Sequence, residues 1–212
     1  MTVMANQEAC TPYEGHSPSE WLDITRGIIA EHPIKKEEIV QVVLTAWDEL
    51  HATHIGSRRL QIGVHLFPNP QIIGFFLHEI IPVLIAENHP GEWRREKDKT
   101  DKDLVCIGNP KYSAEIKTSS HPSAIFGNRS YAQASTPGAR KGKSGYFLTA
   151  NFVPTRAEAP GKITRVRFGW LDHSDWIGQN SPTGQQARLT TEADRYKLIE
   201  LYSSVAIKSR VG

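Results

Sequence analysis

One segment of the chain, residues 72–86, is almost wholly apolar and restricts the possible folds more than any other stretch. The run is interrupted by His78, Glu79 and Pro82, and it is shorter than the roughly 20 residues that a membrane-spanning helix needs. It therefore predicts a helix over about residues 71–88, kinked at Pro82 and buried in the core of a globular protein. Because an unpaired buried carboxylate is costly, Glu79 is expected either to have a charged partner or to reach solvent.

Composition agrees with a globular protein. The 212 residues are 39% hydrophobic and 23% charged, which argues against disorder and fibrous repeats. Two cysteines, Cys10 and Cys106, are too few for a disulfide framework. The first ten residues lack the basic start and the apolar stretch of a signal peptide. We therefore expect a cytoplasmic protein without a membrane partner.

Basic residues are concentrated in the second half of the chain. Between residues 116 and 171 nine Lys and Arg residues face a single acid, Glu158, so this stretch carries +8 although the whole chain carries only +2. Such a stretch is typical of a surface that binds a polyanion, since each Lys or Arg near a phosphate releases condensed counterions. The alternative is a basic face that is merely solvated.

Hydrophobic periodicity predicts helices before and after a small group of strands. Besides the apolar helix, helices are predicted from residue 19 to the His32-Pro33 pair and over 38–51, 123–135 and 192–207. Strands are predicted over 104–107 and 112–117, joined around Gly108-Asn109-Pro110, and over 146–152 and 163–170. Residues 136–144 are expected to form a loop. The predicted fold class is α/β, with a small central mixed sheet flanked by helices.

The pattern with the clearest chemistry is Asp103 followed by Glu115-Ile116-Lys117. Side chains two apart on a strand project from the same face, so Glu115 and Lys117 would stand side by side while Ile116 points into the core. Two carboxylates can hold Mg²⁺, which neutralises a phosphate and lowers the pKa of bound water. A neighbouring lysine can orient that water and offset charge in the transition state.

The pairing of the two strands decides whether this site can form. Asp103 shares the face of Glu115 and Lys117 only if it pairs opposite one of them, which requires an odd-length connection or a bulge. Among all acids in the chain, only Glu115 is followed two positions later by a lysine. The alternatives are an ordinary Glu-Lys pair on a half-exposed strand, and Asp98 or Asp101 in place of Asp103.

These residues belong to a longer stretch of the chain that resembles a known family. Asp103 with Glu115, Ile116 and Lys117 resembles the active-site motif of PD-(D/E)XK nucleases, although Lys102 stands where these enzymes usually have a proline. Between residues 101 and 189 the chain is similar to type II restriction endonucleases of the ScaI type, in the segments DKDLV, EIKTSSH, IFGNRSYAQ, GYFLTANF, RFGWLDHSDWIGQ and GQQARL.

The resemblance implies a homodimer that cleaves double-stranded DNA at a short palindrome, uses Mg²⁺ and leaves 5′-phosphate ends. It also implies a cognate DNA methyltransferase as a genomic partner. Asp103, Glu115 and Ile116 would form the metal-binding set, Lys117 would serve the attacking water, and Glu79 would be a further catalytic acid. Residues 1–18 show little periodicity, which predicts a flexible N-terminal arm. The rest is expected to be one nuclease domain over 19–212, made of a helical part (19–90), a catalytic sheet with a DNA-binding segment (101–170) and a C-terminal part (171–212).

Candidate DNA contacts lie in the acid-poor stretch. Backbone contacts are predicted for Arg129, Lys141 and Lys143, because their charges suit phosphates. Amide, hydroxyl and guanidinium groups suit base edges. The remaining predicted DNA-binding residues are Asn128, Ser130, Gln133, Arg140 and Ser144. A second polar run near two tryptophans contains Asp172, Asp175, Gln179, Gln185 and Arg188.

Three rival functions remain open at this point. The same metal site could belong to a structure-specific DNA repair nuclease that acts on nicks, flaps or junctions. The acids could instead stabilise a non-catalytic DNA-binding module. A small-molecule enzyme unrelated to DNA would leave the concentrated basic charge unexplained.

Overall fold

The computed structural model describes residues 11–133, 142–181 and 183–204. Its helices are α1 (Trp21–Ala30), α2 (Lys36–Ala52), α3 (Pro70–Asn88) and α4 (Thr191–Tyr196). The strands are β1 (His54–Ile55), β2 (Leu60–Gln61), β3 (Trp93–Arg95), β4 (Leu104–Cys106), β5 (Ala114–Ser119), β6 (Phe126–Asn128), β7 (Gly145–Val153), β8 (Lys162–Leu171), β9 (Trp176–Gly178), β10 (Gln186–Leu189) and β11 (Leu198–Ser203).

A six-stranded sheet with the order β11-β8-β7-β5-β4-β3 forms the centre of the molecule. Strands β5 and β7 run parallel, and the other neighbours are antiparallel, so the sheet is mixed. Helices α1, α2 and α3 pack against it. The predicted α/β class, with a central mixed sheet flanked by helices, is confirmed and agrees with the restriction-endonuclease-like fold that the resemblance implies.

The two faces of the sheet contribute to two separate hydrophobic clusters. Along β7, Tyr146, Leu148 and Ala150 point to the helices and join the larger cluster. Phe147 points to the opposite face and joins the smaller cluster. A second sheet, three-stranded with the order β6-β10-β9, contributes Trp176 and other residues to that smaller cluster. The larger cluster lies beneath the helices, and the smaller one beneath the second sheet.

Helix α3 is the apolar helix predicted from the sequence. The side chain of Asn69 accepts a hydrogen bond from the Gln71 N–H and caps the helix, and Pro70 occupies its first turn. By length and composition alone α3 is long and apolar enough to cross a membrane. Its buried residues, Ile73, Leu77, Ile81 and Ile85, nevertheless belong to the larger core cluster. This helix is therefore part of the core of the fold.

Two predicted helices are wrong. Of the first, residues 123–133 include β6 and a short 3-10 turn, because 126–128 pair with β10, about sixty positions further along the chain, and 134–135 lie outside the described residues. The predicted closing helix over 192–207 ends at Tyr196, and the following residues add β11 to the edge of β8. In both places a long-range strand partner outweighs local helical periodicity.

The described part of the predicted N-terminal arm is packed against the protein. Tyr13 is only 5% exposed, and its hydroxyl lies 2.8 Å from that of Thr25 in α1. The Thr11 hydroxyl donates to Asp172, 2.7 Å away. Thr11 and Tyr13 are therefore fixed by contacts with the rest of the protein, while 1–10 lie outside the described part of the chain.

A buried charge cluster fastens this segment to the C-terminal part of the chain. The ammonium group of Lys197 lies 2.9 Å from Asp175 and 3.2 Å from Asp172. It also lies 4.2 Å from the ring centres of both Tyr13 and Trp21. Burial raises the pKa of the Asp175 carboxyl, and the ammonium group of Lys197 opposes that shift. These two aspartates therefore support the fold.

Lys197→Ala should leave two buried carboxylates without their cation. Since removing one partner of a buried pair leaves an uncompensated charge, we expect the free energy of unfolding to fall by about 3–5 kcal/mol. The matched control Lys162→Ala removes an exposed lysine and should change it by less than about 0.5 kcal/mol. Urea unfolding of both variants measures this, and equal midpoints would show that the cluster contributes nothing.

Candidate active site

The pairing of β4 with β5 brings the predicted acids together. Leu104 pairs with Ala114, so the next position on each strand places Asp103 opposite Glu115. The connection spans the odd-length segment 107–113 and contains a 3-10 turn over Pro110–Tyr112. The parity that the sequence required is confirmed. Since Ala114 and Ile116 belong to the core beneath the helices, Glu115 and Lys117 project from the other face of the sheet.

Asp103 is held in place by the neighbouring strand. Its Oδ2 accepts a hydrogen bond of 2.6 Å from the N–H of Ile116. The same oxygen lies 3.7 Å from Nδ1 of His78 on α3. The Asp103 side chain is 15% exposed, so it is accessible but fixed.

Glu115 is almost completely buried, with 4% of its side chain exposed. Its Oε1 accepts a hydrogen bond of 2.5 Å from the hydroxyl of Tyr131 and one of 3.4 Å from Nζ of Lys117. Lys102 places its Nζ 3.9 Å from Oε2 of Glu115. Burial, together with the negative charge of Glu115, raises the pKa of Tyr131, so the phenol stays protonated and donates.

The ammonium group of Lys117 lies close to two oxygen atoms of β5, one from Glu115 and one from the main chain of Ile116. Its Nζ lies 3.1 Å from the main-chain oxygen of Ile116 as well as near Glu115, and 4.9 Å from the ring centre of Tyr131. The Ile116 side chain is a hydrocarbon without a ligand atom, so this residue can offer a ligand only through its main-chain oxygen. A carboxylate and a carbonyl oxygen that share one cationic group form a hard donor set suited to a divalent metal ion.

His78 is a site residue that the sequence reasoning did not assign. Burial lowers the pKa of its imidazole, and the charges of Asp103, Lys117, Glu115 and Glu79 all act on it. The sequence did contain a signal, because His78 interrupts an otherwise apolar helix beside Glu79. By itself, a histidine within the apolar run argues only against a membrane-spanning helix and does not assign His78 to the site.

Glu79 has the charged partner that its position predicted. Its Oε2 lies 2.5 Å from Nη2 of Arg95 on β3, and 35% of its side chain is exposed. It also lines the same cleft as Asp103. A role for Glu79 at the metal stays a prediction.

An open cleft of about 810 Å³ runs past these residues. Asp103, His78 and Glu79 line one part of it, and Phe126 and Gln186 of the three-stranded sheet line another. Glu115 and Lys117 do not line the cleft; they are close to Tyr131. The cleft therefore connects Asp103 to the surface of the second sheet.

Comparison with known proteins identifies the family of this chain. Residues 11–202 match the family model described as ScaI restriction endonuclease. This chain belongs to the ScaI restriction endonuclease family. A relative, the type II restriction enzyme ScaI of Streptomyces caespitosus, is 38% identical over 204 residues, which cover 95% of this chain and 88% of that protein. The ScaI-family chain is a type II restriction endonuclease, a site-specific deoxyribonuclease that acts on DNA, and the resemblance drawn from the sequence is confirmed.

The predicted DNA-binding residues of this ScaI-family enzyme lie in different environments. Asn128, Ser130 and Gln133 are exposed at and after β6. The guanidinium group of Arg129 donates to the main-chain oxygens of Ser181 and Gly184, so it also supports a loop. Lys143 donates to the main-chain oxygen of Gln133 at 2.8 Å, Ser144 is half-buried, and Arg140 and Lys141 lie outside the described residues.

Part of the basic stretch of the ScaI-family enzyme is used inside the fold. Arg167 is completely buried and pairs with Asp194 at 2.7 Å. Arg165 pairs with Glu200 on the neighbouring strand at 2.5 Å. These two arginines join β8 to the C-terminal elements, so the excess of positive charge available to DNA is smaller than the sequence count.

The residues present fit a divalent metal ion, although no cluster of three His, Cys, Asp or Glu side chains occurs in the described ranges. The fit is instead with Asp103, Glu115 and the main-chain oxygen of Ile116. The last two already converge on the ammonium group of Lys117. We therefore expect any metal to be held by two carboxylates, one carbonyl oxygen and water.

Tyr131→Phe should destabilise the enzyme although it keeps the ring. The variant removes a donor from a buried carboxylate, which costs about 1–3 kcal/mol. Tyr202→Phe is the control, because Tyr202 is half-buried and its hydroxyl has no hydrogen-bond partner in the described residues. Urea unfolding without divalent metal measures the difference, and equal stabilities would mean that the hydroxyl does not support Glu115.

Proposed function

We propose that this enzyme hydrolyses DNA at a short palindromic site by a Mg²⁺-dependent PD-(D/E)XK mechanism and leaves 5′-phosphate ends. The observation that carries the proposal is the register of β4 and β5, which aligns Asp103 with Glu115 and places Lys117 beside them. Sequence spacing alone left this alignment open, because an even connection would have turned Asp103 to the other face.

The residues of the chain divide the work of the reaction. Asp103 and Glu115, with the main-chain oxygen of Ile116, would hold Mg²⁺, which when bound neutralises phosphate charge and lowers the pKa of water. Asp103 is oriented by the Ile116 N–H, and Glu115 by the Tyr131 hydroxyl. Both carboxylates therefore need little reorganisation.

Lys117 would orient the attacking water and offset charge on the phosphate in the transition state. Its ammonium group is kept near the acids by Glu115 and the Ile116 carbonyl. Because its side chain is only 13% exposed, this charge acts with little screening by solvent.

The proposal includes partners and location. A two-fold symmetric homodimer matches a palindrome, because each subunit then meets the same half-site. A cognate DNA methyltransferase would protect the host genome, and both proteins would work in the cytoplasm. These partners are supported by membership of the family.

The direct test is incubation of the purified protein with unmethylated phage DNA, with Mg²⁺ or with EDTA, followed by sequencing of fragment ends. We expect discrete fragments with Mg²⁺ only, ending in 5′-phosphates at one palindromic sequence. Cleavage confined to nicked, flapped or branched DNA would instead indicate a repair nuclease. Intact DNA from folded protein that still binds DNA would indicate a binding module.

Lys117→Ala should lower the cleavage rate by roughly 10²- to 10³-fold, because a charge aimed at the transition state is lost. Glu115→Gln, which keeps the size of the side chain, should do the same through loss of a metal-binding oxygen. Lys111→Ala is the matched control, since Lys111 is exposed and lies in the turn before the catalytic strand.

Single-turnover cleavage rates with Mg²⁺ and DNA affinity with Ca²⁺ separate catalysis from binding. We expect Lys117→Ala to bind DNA nearly as well as the unmodified enzyme. Wild-type cleavage by Lys117→Ala would contradict its proposed role, and its failure to fold would make Lys117 a structural residue.

A further inference from the structure

The three-stranded sheet presents an outer face with an unusual set of side chains. Its register places Asn128 of β6 beside Gln186 of β10, and Phe126 of β6 and Ile177 of β9 on either side of Arg188. Residues two apart on a strand share a face, so all five side chains belong to the same surface. We call this surface the amide face. All five residues are exposed.

The direction of the amide face is determined by what lies beneath it. Ala187, Leu189 and Trp176, which alternate with the exposed residues, are buried in the smaller core cluster. Gly127 lies so close to this layer that a Cβ there would come within 3.1 Å of the Trp176 ring. A shift of the strand register by one residue would bury the side chains of Gln186 and Arg188. Core packing therefore keeps the amide face directed toward solvent.

The polar groups of the amide face are not used by the fold. Among the described residues, the side chains of Asn128, Gln186 and Arg188 make no hydrogen bond or ion pair with other parts of the protein. The three strands contain no acid, so the face carries only the charge of Arg188. An amide, a guanidinium and an apolar group each match one edge in the major groove, namely adenine, guanine and the methyl group of thymine.

We propose that the amide face reads base edges in the major groove of the DNA substrate. This inference rests on the proposed function and assigns sequence recognition within it. Asn128 and Gln186 would contact adenine, Arg188 would contact guanine, and Phe126 or Ile177 would contact a thymine methyl group. The outer strands of such a sheet lie roughly 9.6 Å apart, at about 4.8 Å per neighbour, which fits a groove about 12 Å wide.

The cleft connects the amide face to Asp103, one of the two proposed metal-binding acids. Phe126 and Gln186 line the same cleft as Asp103, so a duplex seated on the amide face would lie close to Asp103. The 3-10 turn over Arg129–Ala132 follows β6 directly, and its Tyr131 bonds to Glu115. Asn128, a proposed base contact, therefore lies only three positions before Tyr131, the residue that holds the Glu115 carboxylate.

The test selects binding sites directly, so it does not depend on cleavage. Wild type and the single variants Asn128→Ala, Gln186→Ala and Arg188→Ala are each used to select duplexes from a random-sequence DNA pool in Ca²⁺. Arg58→Ala, which removes an exposed arginine in the turn between β1 and β2, is the matched control. Affinities for the selected duplex and for a scrambled duplex are then measured over a range of salt concentrations.

Wild type and Arg58→Ala should select one common motif. Each amide-face variant should lose the preference at one base pair, and its ratio of specific to scrambled affinity should fall between about fivefold and about a hundredfold. Affinity for the scrambled duplex and its salt dependence should not change.

Two results would overturn the inference: the same motif selected by all variants, or equal weakening on every duplex with a shallower salt dependence, which is the behaviour of a phosphate contact. A wild type that selects a motif but does not cut it with Mg²⁺ would reject the proposed function and leave the amide face supported. A wild type that selects no motif would reject the amide face as a reader.

Discussion

The hydrogen bond from the Ile116 N–H to Asp103 is the interaction on which the candidate active site depends. It ties the residue before β4 to the middle of β5 and so holds the register that sets Asp103 opposite Glu115. A shift by one residue would direct the acids to opposite faces of the sheet. The remainder of the sheet stabilises this pairing, with β7 parallel to β5 on one side and β3 beside β4 on the other.

Much of the central fold could be predicted because its signals are local. Helices α2 and α3 repeat apolar residues at helical spacing, and β7 and β8 are rich in β-branched and aromatic residues. Predicting these elements therefore needs no knowledge of a distant partner. The acids and lysine of the candidate site were found for the same reason, since the two-residue period of a strand places Glu115 beside Lys117 without other information.

The elements that were missed depend on partners far away in sequence. Strand β6 pairs with β10, about sixty positions away, and β11 pairs with β8, about thirty to forty positions away. The local residues of β6 and β11 also suit a helix. Tyr131 and His78 entered the site in the same way, because only the packed structure places a turn after β6 and a helix from the first half of the chain against the acids. The spacing of residues within one segment cannot predict contacts with distant segments.

The order in which the ribosome makes these elements gives the buried lysine a further consequence. Strands β4 and β5, which hold the candidate site residues, are synthesised well before Lys197, which neutralises Asp172 and Asp175 and contacts Tyr13. Strand β11 comes later still, and until it emerges the long edge of β8 has no partner. A nascent chain therefore carries the candidate catalytic side chains on an unfinished scaffold. In a nuclease, this postpones the fully assembled state until β11 has emerged.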